Sequence, residues 1–194
     1  MSQDIYQEGE YRLRRMEDTA ADYNLLARWL TDPRVLEFYE GRDNPFPVEK
    51  VREKYAPRVL AVEGVVPCIM EYAGHAIGYL QFYLADPVEY QFEGRGRVYA
   101  LDLFIGVPEY WGRGAGTQFV RLLLCHLFER QGADWVILDP HVDNARAIRA
   151  YEKCGFRKIK LLAQHELHEG RYVDCWLRSE EHTSELQSLW HLVC

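Results

Sequence analysis

Glycines stand at positions 112, 114 and 116 in the run Tyr110-Trp111-Gly112-Arg113-Gly114-Ala115-Gly116-Thr117, and an apolar stretch from Phe119 to Phe128 follows at once. Glycine lets the backbone come close to a ligand, and apolar residues of that length and spacing form a helix. The first turn of a helix offers free N–H groups and the positive end of the helix dipole, so the loop and helix together suit a pyrophosphate. Spacing excludes two common phosphate loops. No Gly-Lys-Ser/Thr follows, as a nucleoside-triphosphate loop requires, and the glycines do not read G-x-G-x-x-G. Steric need alone also produces glycine-rich turns, so the neighbouring residues decide.

Asp102 lies mid-strand in Tyr99-Ala100-Leu101-Asp102-Leu103-Phe104-Ile105-Gly106. A carboxylate there is costly unless it faces a cleft or a partner such as Arg97. Asp139-Pro140-His141 closes a second strand. If the two strands are parallel neighbours, both carboxylates point into one crevice at the strand C-termini, a place suited to a multiply charged cation. Asn144 and Tyr151 belong to Asn144-Ala145-Arg146-Ala147-Ile148-Arg149-Ala150-Tyr151-Glu152-Lys153-Cys154-Gly155-Phe156. Helix capping would by itself account for Asn144, and packing for Tyr151. His165-Glu166-Leu167-His168 holds metal-ligating residue types but lacks the H-E-x-x-H spacing and any further ligand set, so no metal is expected.

The elements that must position these groups read as an alternating α/β order. Tyr11 to Met16 is a strand, and Asp18 or Thr19 caps a helix with apolar Leu25, Leu26, Trp29 and Leu30, which ends at or before Pro33. Pro47 suits the first turn of a helix through Val51 and Tyr55 to Leu60. Strands Pro67 to Tyr72 and Ala76 to Leu84 flank a turn at Ala73-Gly74-His75. Ala85 to Arg97 is a long polar loop with Pro87, Gly94 and Gly96, expected to overhang the substrate site. Strand Val98 to Val107, the helix to Gln131 and strand Trp135 to Leu138 make a βαβ step with parallel strands. A helix Asn144 to Lys153 stopped by Gly155, then strands Phe156 to Leu162 and Tyr172 to Leu177, complete the order.

A length of 194 residues fits one domain with a full core. Five scattered cysteines without a C-x-x-C pair fit a reduced, cytoplasmic protein, and neither a signal peptide nor a membrane span is visible. A net charge of −7 argues against nucleic acid as partner and favours a cationic substrate, because the acidic residues gather in expected loops: Glu37, Glu40 and Asp43; Asp86, Glu89 and Glu93; Glu166 and Glu169. Residues 1–177 are assigned to the domain and 178–194 to a tail. The run RSEEHTSELQS, from Arg178 to Ser188, reads as one frame of a common sequencing-library adapter would translate, pointing to read-through from a metagenomic read; a genuine short C-terminal helix is the alternative.

The glycine loop, followed by Asn144, Tyr151 and Gly155-Phe156, resembles the GNAT (general N-acetyltransferase) superfamily, whose loop reads Gln/Arg-x-x-Gly-x-Gly/Ala; here Trp111 stands where Gln or Arg is usual. Trp29-Leu30-Thr31-Asp32, Val35 to Tyr39, Ile77-Gly78-Tyr79, Asp102 to Gly106, Ile137 to His141 and His165 to Gly170 sharpen that likeness to the aminoglycoside 6′-N-acetyltransferases. The resemblance implies a mixed sheet splayed at two central parallel strands, flanked by helices, with acetyl-coenzyme A as co-substrate and no metal. It implies that Gly112, Arg113, Gly114, Ala115, Gly116 and Thr117 hold the pyrophosphate, and that backbone N–H groups at Phe104, Ile105 and Val107, with Asn144, serve the pantetheine and thioester. Asp102 then handles the reacting amine and Tyr151 the departing sulfur. Asp102, Asp139 and Glu166 meet the substrate's amines, with Tyr39 and Tyr55 as aromatic walls. A monomer or weak dimer acting on an aminoglycoside is expected; the alternatives are a polyamine or protein amine as acceptor, or a coenzyme-A-binding sensor without turnover.

Overall fold

In the computed structural model, residues 4–86 and 88–181 are described. Eight strands form one sheet in the order β1-β2-β3-β4-β5-β6-β8-β7. They are β1 (Asp4–Glu8), β2 (Tyr11–Arg15), β3 (Val66–Tyr72), β4 (His75–Leu84), β5 (Val98–Ile105), β6 (Trp135–Leu138), β7 (Arg157–His168) and β8 (Arg171–Glu181). Every pairing is antiparallel except β5 with β6. The mixed, helix-flanked α/β sheet expected from the sequence is therefore present, with β1 as an addition. That strand is short, mostly exposed and polar, features of an edge strand that leave little apolar alternation to read.

Five helices cover the two faces: α1 (Ala20–Trp29), α2 (Pro33–Leu36), α3 (Val48–Val59), α4 (Ala115–Arg130) and α5 (Ala145–Glu152). Thr19 caps α1, its side chain accepting from the Asp22 N–H, and Asp22 in turn pairs with Arg14 at 2.7 Å. The helix buries Tyr23, Leu26 and Trp29 against one face of the sheet, where Val51 and Tyr55 of α3 join them. Pro33 opens α2, since proline's missing N–H costs nothing in the first turn. On the opposite face α4 buries Phe119, Leu123 and Leu127 over β2 and β5. The β3–β4 turn is shorter than read from sequence. Ala73 and Gly74 both have positive φ, 49° and 77°, which makes a two-residue hairpin turn and leaves His75 inside the strand.

The last two strands depart most from expectation. They run well past Leu162 and Leu177 as a long hairpin turned at Glu169 (φ 49°) and Gly170 (φ 74°), so Glu166 sits on a strand rather than in a loop. β8 also extends beyond the expected domain boundary. Leu138 faces Arg178, Ile137 faces Ser179, Val136 faces Glu180 and Trp135 faces Glu181, giving β6 its second neighbour. Arg178, Ser179 and Glu180 are each 4% exposed. Residues 178–181 thus belong to the sheet, and the remainder of the tail, 182–194, lies outside the described residues.

Ending the chain at Leu177 should strip β6 of that ladder and lower the melting temperature by several degrees. Ending it at Glu181 keeps the ladder and should leave the melting temperature unchanged. Melting both truncated proteins beside the full chain by circular dichroism separates the two; equal losses would place structural weight beyond Glu181.

Candidate active site

The parallel ladder between β5 and β6 is short: Val98 pairs with Trp135, Tyr99 with Val136 and Ala100 with Ile137. Then β6 ends at Leu138, and Pro140 has no N–H with which to continue the ladder. β5 runs on to Ile105, held on its other side by β4. The bonds Ala85 N–H to Val98 O (3.0 Å) and Gly106 N–H to Ile77 O (2.8 Å) fix the alternation. Residues 98, 100, 102, 104 and 106 turn their backbone groups to β4, so those of Leu101, Leu103 and Ile105 turn the other way, into the opening.

A cavity of about 810 Å³ fills the opening. At one end lies the glycine loop. Gly112 and Gly114 have φ of 70° and 86°, the left-handed region that disfavours side chains, and a Cβ at 112, 114 or 116 would meet nothing within 4 Å. Gly114 caps α4 without a side chain, leaving the first-turn N–H groups of Ala115, Gly116 and Thr117 facing space that an anion can fill. The Trp111 indole N–H donates to Ile105 O at 2.8 Å, and the Arg146 guanidinium lies 3.9 Å from the indole ring centre. Asn144 accepts from the Ala147 N–H at 3.1 Å, so it does cap α5, and it also lines the cavity.

Acidic groups occupy the other end. Arg97 is not the partner of Asp102: its backbone N–H bonds Asp134 and its guanidinium bonds Gln131 O. Asp102 instead accepts from the Gln81 amide at 2.7 Å, while the Gln81 oxygen accepts from Arg58 (2.7 Å) and from the Tyr79 hydroxyl (2.8 Å). Burial pushes the Asp102 carboxyl up to about 6; the Gln81 bond works against that rise, Asp139 adds to it and Arg58 opposes it. A carboxylate poised there is ionised at neutral pH yet able to take a proton. Burial first, then the charges of Asp102 and Asp139, hold the Tyr151 phenol above its ordinary value, so it remains a proton donor.

Two further carboxylates meet imidazoles. Asp139 lies 3.1 Å from His165 Nε2, and Glu166 lies 2.9 Å from His141 Nε2. The bond to Asp139 raises the pKa of His165. Burial alone would lower that of His141, but the Glu166 bond and the charges of Asp143 and Asp139 carry it above its usual value. Glu89 and Tyr90, from the 85–97 loop, line the same cavity, and the Tyr90 and Tyr83 hydroxyls share a 2.7 Å bond. The loop does overhang the site.

Most of the residues singled out from the sequence converge here: Tyr39, Asp102, Phe104, Ile105, Gly112, Gly114, Ala115, Gly116, Thr117, Asp139, Asn144, Tyr151 and Glu166 all line the cavity. Three do not. Tyr55 is fully buried behind the wall, edge-on to Tyr79, with its hydroxyl 3.5 Å from Glu40. The Val107 N–H is already committed to Ile77 O at 3.2 Å, and the Arg113 side chain is exposed outside the cavity. Phe104 lines the cavity, but its backbone N–H, expected to serve the pantetheine, faces β4 opposite Tyr79 and is not available there. Sequence reading missed Gln81, Leu103, His141 and His165. A polar residue within the apolar run of β4 was a signal for Gln81. The metal-ligating types at 165–168 also gain further donors that no spacing announced, since His141, Glu166 and Cys175 bring ligand atoms within 4.8 Å of one another.

A sheet splayed at its only parallel pair among the described strands, with a glycine loop capping a helix beside it, defines an acetyltransferase scaffold. Residues 18–163 match the acetyltransferase (GNAT) domain, and the chain belongs to that family. Over 143 residues it is 34% identical to an aminoglycoside N(6′)-acetyltransferase type 1 of Klebsiella pneumoniae, covering 72% of this chain and 71% of that one. A crystal structure of the aminoglycoside acetyltransferase AAC(6′)-Ib with coenzyme A and kanamycin aligns at a TM-score of 0.73 and 28% identity, over 92% of this chain and 99% of that one. The spermidine N-acetyltransferase of Vibrio cholerae shares the fold at a TM-score of 0.74, with 18% identity over 92% of this chain and 99% of that one. Among the described residues no helix is long and apolar enough to cross a membrane.

Gly116 has an ordinary φ and open space above it, so Gly116→Val should fold normally and still obstruct the cofactor. Titration calorimetry should show coenzyme A binding weakened by about tenfold or more, equivalent to roughly 1.4 kcal/mol, with the melting temperature little changed. Unaltered affinity would remove the loop from the cofactor site.

Asp102 also makes a signed stability prediction. Its folded pKa of about 6 lies above the unassociated value of 3.8, so the ionised form is penalised by folding. That penalty is absent below 3.8, grows between 3.8 and 6, and is complete above 6. Asp102→Asn should therefore raise the melting temperature at pH 8 and lose that advantage toward pH 4. A destabilised variant at pH 8 would contradict the burial cost.

Proposed function

We propose that this protein transfers the acetyl group of acetyl-coenzyme A to the 6′-amine of aminoglycosides and so confers resistance to them. The observation that carries this reading is the juxtaposition across one splayed opening of unpaired backbone N–H groups with Asp102 and Asp139. A thioester needs the first and a polycationic amine the second. The identity to an aminoglycoside N(6′)-acetyltransferase and the likeness to a kanamycin-bound relative support the same acceptor. The spermidine enzyme supports only the fold.

Pyrophosphate rests on residues 112–117, and the pantetheine lies along β5, where the backbone groups of Leu103 and Ile105 face the opening. Asp102 takes a proton from the substrate ammonium, directly or through water, and the neutral amine attacks the thioester carbonyl. The carbonyl oxygen gains negative charge, which a backbone N–H of β5 stabilises. As the tetrahedral intermediate collapses, the C–S bond breaks, Tyr151 protonates the departing sulfur, and the remaining excess proton on the attacking nitrogen is lost through solvent, which restores the phenol. Asp139 and Glu166 hold other ammonium groups of the substrate, and Tyr39 forms a wall. The acetamide product has lost one positive charge and one donor, which weakens attraction to phosphate-rich RNA. A cytoplasmic site of action, away from nucleic acid and membrane, is supported by acetyl-coenzyme A as co-substrate and by the net charge of −7.

Thiol release from acetyl-coenzyme A should be fast with kanamycin and weak with a 6′-hydroxyl aminoglycoside, spermidine or a peptide. A preference for spermidine would move the acceptor to polyamines, and no release with any amine would leave a cofactor-binding sensor. Asp102→Asn should lower kcat by about 10²–10⁴-fold, with partial recovery as pH rises and more amine is neutral. Asp139→Asn should act chiefly on KM for the aminoglycoside. Equal, small effects would remove this division of labour.

A further inference from the structure

Glu166 and His168 stand two residues apart on β7, so their side chains leave the same face of the sheet. Glu166 pairs with Val173, which puts Cys175 of β8 on that face, diagonally across. His141 meets Cys175 in an isolated antiparallel bridge flanked by the bonds Trp176 N–H to Pro140 O (2.9 Å) and Val142 N–H to Asp174 O (3.1 Å). That is the closely spaced kind of strand pair. Three segments thus deliver two imidazoles, a carboxylate and a free thiol to one place. The donor atoms of His141, Glu166 and Cys175 lie within 4.8 Å of one another. His168 Nδ1 is 3.9 Å from a Glu166 oxygen, and the rings of His141 and His168 are 4.6 Å apart.

His168 supplies a second, independent observation. It is 5% exposed, and its Nε2 lies 2.9 Å from the backbone oxygen of Glu37. A carbonyl only accepts, so Nε2 must carry the hydrogen, and in the neutral ring Nδ1 then holds a lone pair. That Nδ1 is buried with no hydrogen-bond partner among the described residues, and at 3.9 Å it faces another acceptor, the Glu166 carboxylate. Two facing lone-pair donors ask for a cation between them. The arrangement is also how metal-bound histidines are commonly held, one nitrogen fixed by a carbonyl and the other aimed at the ion.

We propose that His141, Glu166, His168 and Cys175 form a binding site for a divalent transition metal, with zinc the best match to two nitrogens, one oxygen and one sulfur. Acetyl transfer by this family needs no metal, so the ion is a ligand and not a cofactor. On binding, Cys175 gives up its thiol proton to solvent as the metal–sulfur bond forms, and the His141–Glu166 bond opens to release both donors. Glu166 faces the substrate cavity; on the proposed function, metal and aminoglycoside then exclude each other while coenzyme A binding is untouched.

Zinc titrated into the full-length, substrate-free protein in a non-chelating buffer should bind one ion per chain with proton release. Cobalt in its place should show a thiolate-to-cobalt charge-transfer band, and Cys175→Ser should abolish it. His168→Gln should weaken zinc by about tenfold or more, whereas His75→Gln, on the exposed hairpin, should have no effect. If His168→Gln melts early, Glu166→Gln replaces it. No stoichiometric binding, or equal binding in the Cys175 and His168 variants, overturns the site. Added kanamycin should weaken zinc; unchanged zinc affinity would refute the competition alone, because the metal titration is read without substrate.

Discussion

Two central strands that part company after three residue pairs set the terms for everything else in this protein. Buried backbone groups must be paired, yet beyond Ala100 and Ile137 the facing edge of β5 has lost its neighbour. β4 keeps β5 straight on the other side, and α4 supports it from beneath, so the strand cannot collapse across the gap. A ligand able to mimic a strand, with its own alternating donors and acceptors, is the natural occupant. Pantetheine has that character. The glycine loop follows directly from the same strand, so on the proposed function the strand that meets the arm also sets where the pyrophosphate lies.

The opening also concentrates negative charge. Asp102 lies on one wall and Asp139 on the other; burial is the main reason the Asp102 carboxyl is raised, and the charge of Asp139 adds to that rise. Without counter-charges such a pair would be expensive. The molecule supplies them at one remove: Arg58 reaches Asp102 through the Gln81 amide, while His165 and His141 approach Asp139 and Glu166 directly. Gln81 matters because its amide has two different ends. With its oxygen taken by Arg58 and Tyr79, its nitrogen must face Asp102, leaving the carboxylate hydrogen-bonded but not neutralised by an ion pair. A direct Arg–Asp bridge would have pulled the carboxyl down and removed it from the range where it exchanges protons.

Local chemistry was legible in the sequence where it rests on consecutive residues. The glycine loop, a cap at Asp18 or Thr19, a turn around Ala73-Gly74 and the βαβ step all follow from backbone preferences acting over a few positions. Convergence over long separations was legible for Asp102 and Asp139, from the parallel pairing of their strands, and otherwise only through the resemblance. Tyr39 and Tyr55 looked alike as aromatic candidates, but α3 turns Tyr55 into the core while the residues after α2 leave Tyr39 at the cavity. Val107 failed as a donor because Ile77 O accepts hydrogen bonds from the N–H groups of both Gly106 and Val107, which no local pattern reveals. The histidine pairs were invisible for the same reason: His141 reaches Glu166 only once a 12-residue strand, bulged between Leu162 and Glu166, has folded back.

The far side of β6 shows how little a strand pairing says about the side chains that make it. Ladder bonds join backbone to backbone, so residues 178–181 can satisfy β6 whatever sequence they carry. Their side chains record the cost. Arg178 finds Glu152 and Phe156 O but leaves Nε unpaired, and Glu180 is buried with Oε1 unpaired. Burial pushes the Glu180 carboxyl up to about 7, with Arg157 opposing and Glu181 adding to the rise. Gly155 is what lets that carboxylate fit, since a Cβ there would sit 2.6 Å from its oxygen. Apolar residues at 178 and 180 would pair with β6 equally well and bury no orphaned charge. Polar residues at 178 and 180 are tolerated because the backbone ladder holds them regardless, and the cost falls on side chains that find only part of their partners.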